Sequence, residues 1–457
     1  MKSSRRIAIA GLAALATAAS LAACSPTPAA TTADGKVDLR VVSLIPGSDQ
    51  KAFDAFDAQV EQFEKANPDI HVTSEEYEWT GPTFAAQLAG GTLPDVFTIP
   101  FTDVQTLIAN GQLADLTDEV NGLDYAASFN PNVLAVSSDA GGRIFGVPTA
   151  AYGNALHYNR ALFEQAGLDP DSPPTTWDEV RADAKTIAEK TGKAGYATMT
   201  QNNTGGWQLA VATYARGGRL ETVHGDTVTV TADNTGTKAA LEYLHTLRWD
   251  DDAMGNNFLL DWGTINQAFG AGEIGMYTSG SDIYTNLVQA QKLDPATYGL
   301  TTLPLEGADA GVLTGGTVAA VNIKADDAHR AAAVKWIDFY YMQKLVNQDA
   351  AVLDAKTLSE SDQPVGVPAL PIFDQATLDT SREWVKDYIN VPQDQVQFFL
   401  DGIFDQPILP EPKAHTQELY AALDNVVQAV LTDENADIDS LLTRVNTDVQ
   451  ALVDADA

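Results

Sequence analysis

The residues best able to do chemistry in this 457-residue chain do not fall into a catalytic pattern. Its six histidines (His71, His157, His224, His245, His329, His415) stand far apart, and no two share a helical face as an H-E-x-x-H zinc pair requires. A single cysteine, Cys24, leaves no thiol cluster for zinc and no internal disulfide, so packing alone must hold the fold. A nucleophile elbow needs G-x-S-x-G, and "TSGSD" at 278–282 misplaces the first glycine. The sequence has neither a P-loop nor a convincing dinucleotide fingerprint. "WDDDAMGNNFLLD", residues 249–261, has acids at 250 and 252 and Gly255, as a calcium loop would. Met254 takes a ligand position, however, and Asp261 replaces the bidentate Glu, so the stretch reads as a solvated acidic turn. No metal and no cofactor is expected. The 62 Asp and Glu leave a glycosidase-type acid pair open, because its members can lie anywhere in the chain. A secreted polysaccharide hydrolase is therefore the alternative to a binding role.

Whatever the site does, strand–helix alternation must position it. "VDLRVVSLI" from Val37 is a β-branched run of the kind buried in a parallel sheet. Phe53, Phe56, Val60 and Phe63 then recur at helical spacing, and Asn67-Pro68 ends that helix. "DIHVTSEEY" reads as a strand, "FAAQLAGG" as a helix and "PDVFTIP" as a buried strand. The alternation returns in "AGYATMT", "GWQLAVATYARGG", "AALEYLHTLRW" and "GEIGMYTSG". Stretches 305–345 and 415 to the end read as helical, with Trp336, Ile337 and Tyr340 on one apolar face.

The first residues have a different character. Lys2, Arg5 and Arg6 precede an uncharged, Ala-rich run, Ile7 to Ser20, so residues 1–23 read as an export signal. The closing "LAAC" resembles a bacterial lipobox, which makes Cys24 the lipidated first residue of the mature chain. Residues 24–36, rich in Pro, Thr, Ala and Ser, follow as a flexible tether. Without residues 1–23 the chain carries 24 basic and 62 acidic side chains, a formal charge of −38. Such a field repels nucleic acid and anionic lipid headgroups, and it argues against an anionic small ligand. With 45% hydrophobic residues the chain is too apolar to be disordered, and its length calls for two domains.

Several segments, in order, resemble the extracellular solute-binding proteins of ABC importers, in the family that includes maltose-binding protein. They are "GTLPDVFTIP" with "NGQLADLTD", "GRIFGVPTAAYGNALHYNRALFEQAGL" with "PPTTWDEV", "INQAFGAGEIGMYTSGS" and "TGGTVAAVNIKADDAHRAAAVKWIDFY". The resemblance implies a type II periplasmic-binding-protein fold: two α/β lobes, a ligand cleft and a hinge. Carried over, the N-terminal lobe takes 37–149 and 305–366, and the C-terminal lobe 150–304 and 367–457. It also implies a monomer, tethered outside the cell membrane, that hands a neutral carbohydrate to permease subunits. Peptides, polyamines and metals are the other ligand classes that related folds bind.

A sugar presents apolar C–H faces and hydroxyl edges, so its site needs aromatic platforms and planar carboxylates or amides. Trp207, after Gly205-Gly206 at a helix start, is the leading platform. Tyr152 lies just past the first crossing, where similar proteins contact ligand. Asp282 follows the Gly280 turn at a strand's carboxyl end, where open α/β sheets collect ligands. Trp79 and Trp262 match loop positions near the family's cleft. Phe101, Thr102 and Asp103 follow "PDVFTIP" and offer an edge from the first lobe, and Gly315, Gly316 and Thr317 resemble a close backbone approach. Trp177 and Trp336 read as packing residues.

Overall fold

The structure is a computed structural model describing residues 35–48, 50–224 and 227–455. The export signal, Cys24 and nearly all of the tether lie outside the described residues. Among the described residues no helix is long and apolar enough to cross a membrane.

Among the described residues eleven strands carry the fold: β1 (Val37–Val42), β2 (Ile70–Glu75), β3 (Val96–Pro100), β4 (Gly146–Asn159), β5 (Ala194–Tyr196), β6 (Glu221–His224), β7 (Thr227–Val230), β8 (Ile274–Gly280), β9 (Tyr298–Thr302), β10 (Val312–Val321) and β11 (Ile408–Leu409). Nine form one continuous sheet, ordered β2-β1-β3-β10-β4-β8-β5, with β9 on β4 and β11 on β10. The pair β6–β7 forms a separate hairpin. β1 runs parallel to β2 and β3, joined by the helices Gln50–Ala66 and Gly81–Gly90, as crossover connections require. The second helix stops at Gly91, whose φ of 63° is the left-handed cap that glycine supplies.

β4 and β10 turn one sheet into two lobes. Residues 146–153 of β4 pair antiparallel with β10, whereas residues 154–159 pair with β8 and β9. β10 in turn pairs its far end, Thr317–Val321, with β3 of the first lobe. Its near end, Val312 and Leu313, pairs with β11 and is fully buried in the core formed by the helices Thr204–Tyr214 and Thr416–Thr432. The chain thus crosses between lobes at 149–153 and recrosses at 314–317, where a bulge falls between Thr317 and Val318. A third segment lies alongside: Leu370 N–H donates to Ala151 O at 3.1 Å, and Asn130 N–H to Ile372 O at 2.9 Å.

The helical reading of 305–345 needs correction. Residues 312–321 are a strand, and helix begins only at Asp327. "VLTGGTVAAV" is apolar on both faces because β10 sits mid-sheet, and such a run loses the alternation that marks a strand. The helix Asp327–Ile337 then packs the first lobe's aromatic core. Trp336 meets Phe63 edge-on at 5.2 Å and stacks on Tyr340 at 5.2 Å and 9°. Phe63 and Trp336 are fully buried, and a fully buried ring contributes about 1.5–3 kcal/mol. Trp177, at the head of the helix Trp177–Thr191, is also buried.

Candidate functional site

A cavity of about 590 Å3 opens between the lobes where the crossing strands meet. Trp79, Thr102, Tyr152, Trp207, Trp262 and Asp282 all line it, brought together from six separate stretches of sequence.

The remaining candidates stand behind this surface. Phe101 is buried and lines a neighbouring cavity of about 230 Å3, which shares Thr102 and Glu411 with the first. Asp103 accepts a hydrogen bond from the Thr102 hydroxyl at 3.3 Å. A Cβ on Gly316 would come within 2.2 Å of Ala150 O and 2.7 Å of the Phe101 ring, so this glycine lets the crossing strands and Phe101 close up. Thr317 is paired within the sheet to Ala150 and Pro100.

The local sequence explains how each platform is held. Trp207 sits in the first turn of the helix Thr204–Tyr214, preceded by Asn202 and Asn203 at φ 58° and 66°. Asparagine tolerates that left-handed conformation better than other non-glycine residues. Asp424, buried on the helix Thr416–Thr432, accepts the Asn203 and Gly206 N–H groups at 2.7 Å each. Gly206 permits this approach, because a Cβ there would lie 2.2 Å from Tyr420 O. Tyr152 stands edge-on to Trp207, ring centroids 6.4 Å apart at 90°. Its own side chain lies against Gly280 and Gly315, where a Cβ would come within 2.9 Å of the ring and 2.2 Å of the hydroxyl. Trp262 begins the helix Trp262–Gly270, capped by Asp261, which accepts the Thr264 N–H at 2.9 Å. Asp251, in the same acidic stretch, pairs with Arg181 and, at 3.2 Å, with Lys185. Among the described residues no group of three His, Cys, Asp or Glu side chains is placed to hold a metal.

Sequence reasoning missed Glu411 and Tyr420. Both line the cavity, and the Tyr420 hydroxyl donates to Glu411 Oε2 at 3.2 Å. The available signal was "LPEPK", an acid fixed between Pro410 and Pro412, whose rings restrict the backbone on both sides. Glu411 is enclosed by protein yet keeps some surface in the cavity. Burial pushes its carboxyl up to about 7; Tyr420 opposes the rise and the negative field of Asp103 adds to it. Burial likewise raises Asp282. It raises Asp103 too, against the pull of the Thr102 hydroxyl and the Trp79 indole. The Tyr152 hydroxyl is pushed up by burial and then by Glu411 and Asp282.

The raised Glu411 value has a stability consequence. The folded protein holds this proton between the unfolded value, 4.5, and about 7, so stability falls as pH rises through that window. The contribution is about 3 kcal/mol at most, since one unit is about 1.4 kcal/mol and the side chain is partly solvated. Denaturant titrations of Glu411→Gln at pH 5 and 8 are expected to show a shallower fall in stability than the parent. Equal slopes would mean that Glu411 titrates normally.

Two α/β lobes, joined by crossing strands around an aromatic and acidic cleft, define a protein built to enclose a small molecule. The chain belongs to the bacterial extracellular solute-binding proteins, whose family profile matches residues 58–355. Among curated relatives, the sn-glycerol-3-phosphate-binding periplasmic protein UgpB of Salmonella typhimurium is 28% identical over 159 residues. That match covers 33% of this chain and 35% of the relative, so the chain spans about a third of the length of such curated relatives. The cyclic alpha-maltosyl-1,6-maltose binding protein of Arthrobacter globiformis superimposes with a TM-score of 0.70 at 25% identity, covering 92% of this chain and 99% of that one. UgpB of Mycobacterium tuberculosis, in complex with glycerophosphocholine, does so with a TM-score of 0.67 at 19% identity, covering 93% and 100%.

Proposed function

We infer that this protein is the substrate-binding component of an ABC importer, working outside the cell membrane as a monomer. It captures a carbohydrate without anionic groups, of oligosaccharide length, and delivers it to permease subunits with the lobes closed over it. One observation carries the choice between the sugar and glycerophosphate ligands of its relatives: five aromatic residues, Asp282 and Glu411 line the cavity, and among the described residues no Lys, Arg or His does. A phosphate would meet two carboxylates and no cation there. A sugar would meet ring faces and hydroxyl acceptors.

Closure needs contacts from both lobes, and Trp79 and Thr102 on one side face Trp207, Trp262 and Asp282 on the other. Calorimetry of the mature protein against mono- and oligosaccharides is expected to find a ligand near 1 μM, about 8 kcal/mol. Glycerol-3-phosphate is expected to give no heat; binding of it in preference to every saccharide would overturn the carbohydrate reading. The bound saccharide is expected to stay intact, and release of new reducing ends would mark the protein as a hydrolase instead.

The same reading places the protein on a lipid at Cys24. Tethering keeps the receptor close to an integral permease and raises its effective concentration there. Cys24→Ala is expected to move the protein from the membrane fraction to the soluble fraction with calorimetric affinity unchanged. Retention in the membrane fraction would sink the anchor assignment.

A further inference from the structure

We propose that the carbohydrate this cleft selects carries a protonated amine, and that an amino saccharide binds in preference to its hydroxyl counterpart. The proposal rests on the carbohydrate reading and refines it.

Charge balance is the starting point. Asp282 and Glu411 both line the cavity, and Asp103 stands one layer behind, close enough to Glu411 to act on it. Among the described residues no basic side chain lines the cavity, and none contributes to the electrostatics of any of the three carboxyls. The nearest cation in sequence, Lys413, lines only the smaller neighbouring cavity, and its charge acts on Glu221. Glu411 has one hydrogen-bond donor, Tyr420. Asp282 is reached only by its own backbone.

Neutral hydroxyls would supply these carboxyls with hydrogen bonds but leave their buried charge, and the repulsion of Asp103 on Glu411, without a counter-ion. An ammonium group supplies both hydrogen bonds and the missing charge. The walls suit it as well, since a cation is attracted to the faces of Trp and Tyr rings, most strongly when desolvated. Trp79, Trp207, Trp262, Tyr152 and Tyr420 surround the same space.

A second observation points to a polar occupant. The Ser279 hydroxyl, fully buried, has no hydrogen-bond partner among the described residues, and Ser279 lines this cavity. Buried polar groups are rarely left so. It is available to a ring hydroxyl that accompanies the amine.

The test uses saccharide pairs that differ only by an amine in place of one hydroxyl on each ring: glucosamine and glucose, galactosamine and galactose, and glucosamine oligomers and cello-oligosaccharides of equal length. Calorimetry at pH 7 is expected to show at least one amino member binding tenfold or more tighter than its partner, about 1.4 kcal/mol. Asp282→Asn and, separately, Glu411→Gln are expected to erase most of that ratio, weakening the amino member by at least threefold more than its neutral partner. Two carboxylate variants are used so that poor folding of one leaves the other to decide. Neutral members binding as tightly as amino ones would overturn the amine proposal and leave the carbohydrate reading standing. Spermidine binding with no saccharide of either set would overturn the carbohydrate reading, and this proposal with it. Absence of binding by every amino saccharide would also overturn the proposal.

Discussion

Replacing Trp207 with alanine is expected to weaken ligand binding about thirty- to eight-hundred-fold while the protein stays folded. The range follows from the about 2–4 kcal/mol that a central, well-packed tryptophan typically contributes to an interface. Trp207 has that position: it lines the cavity, and its ring is set edge-on to Tyr152. Loss of the indole therefore removes one platform and also the support of a second. The half-buried indole packs against both hydrophobic cores, so some stability is lost as well, about 1–3 kcal/mol. Domains typically hold about 5–15 kcal/mol in reserve, so most of the variant remains native. Trp207→Phe keeps a flat apolar face and is expected to stay within about tenfold of the parent. Calorimetry reads both variants, with circular dichroism melts to confirm the fold. Undiminished affinity in Trp207→Ala would remove this residue from the site.

The signals legible in sequence were local ones. The strands β1, β2 and β3 and their connecting helices were visible because β-branched runs, helical spacing and Gly or Pro stops all act over a few residues. Trp207 was visible for the same reason, as an aromatic beside a glycine pair at a helix start. Glu411 was not. It reaches the cavity because Ile408 and Leu409 pair with Val312 and Leu313, a contact across about a hundred residues that no local pattern encodes. Gly316 shows the converse. Its type suggested a close approach, but the partner is Ala150 and Phe101 of the protein itself. β10 hid because a strand buried on both faces shows no alternation. Its position between β3 and β4 is what makes two crossings of one sheet into a hinge.

Asp424→Ala is expected to lower stability by about 2–4 kcal/mol and to weaken ligand binding, although Asp424 does not line the cavity. Its two oxygens accept the Asn203 and Gly206 N–H groups, which bracket the start of the helix that carries Trp207. Removing the carboxylate leaves the buried Gly206 donor and the half-buried Asn203 donor without this partner, the buried one costing about 1–3 kcal/mol and the other less. It also frees Asn202 and Asn203, two consecutive residues at positive φ that persist only while the surroundings hold them. Both line the cavity, so relaxation of this turn moves the Trp207 wall directly. Asp424→Asn keeps one acceptor oxygen and is expected to fall between the parent and the alanine variant in both urea midpoint and affinity. A purely structural role predicts lost stability with unchanged affinity for the fraction that stays folded. A positioning role predicts that affinity falls in that folded fraction too, in step with the loss of Trp207 fluorescence change on ligand addition. If the alanine variant binds normally below its unfolding midpoint, the helix start is fixed by other contacts, such as the Gln428 side chain donating to Thr200 O at 2.6 Å, and Asp424 only stabilises it.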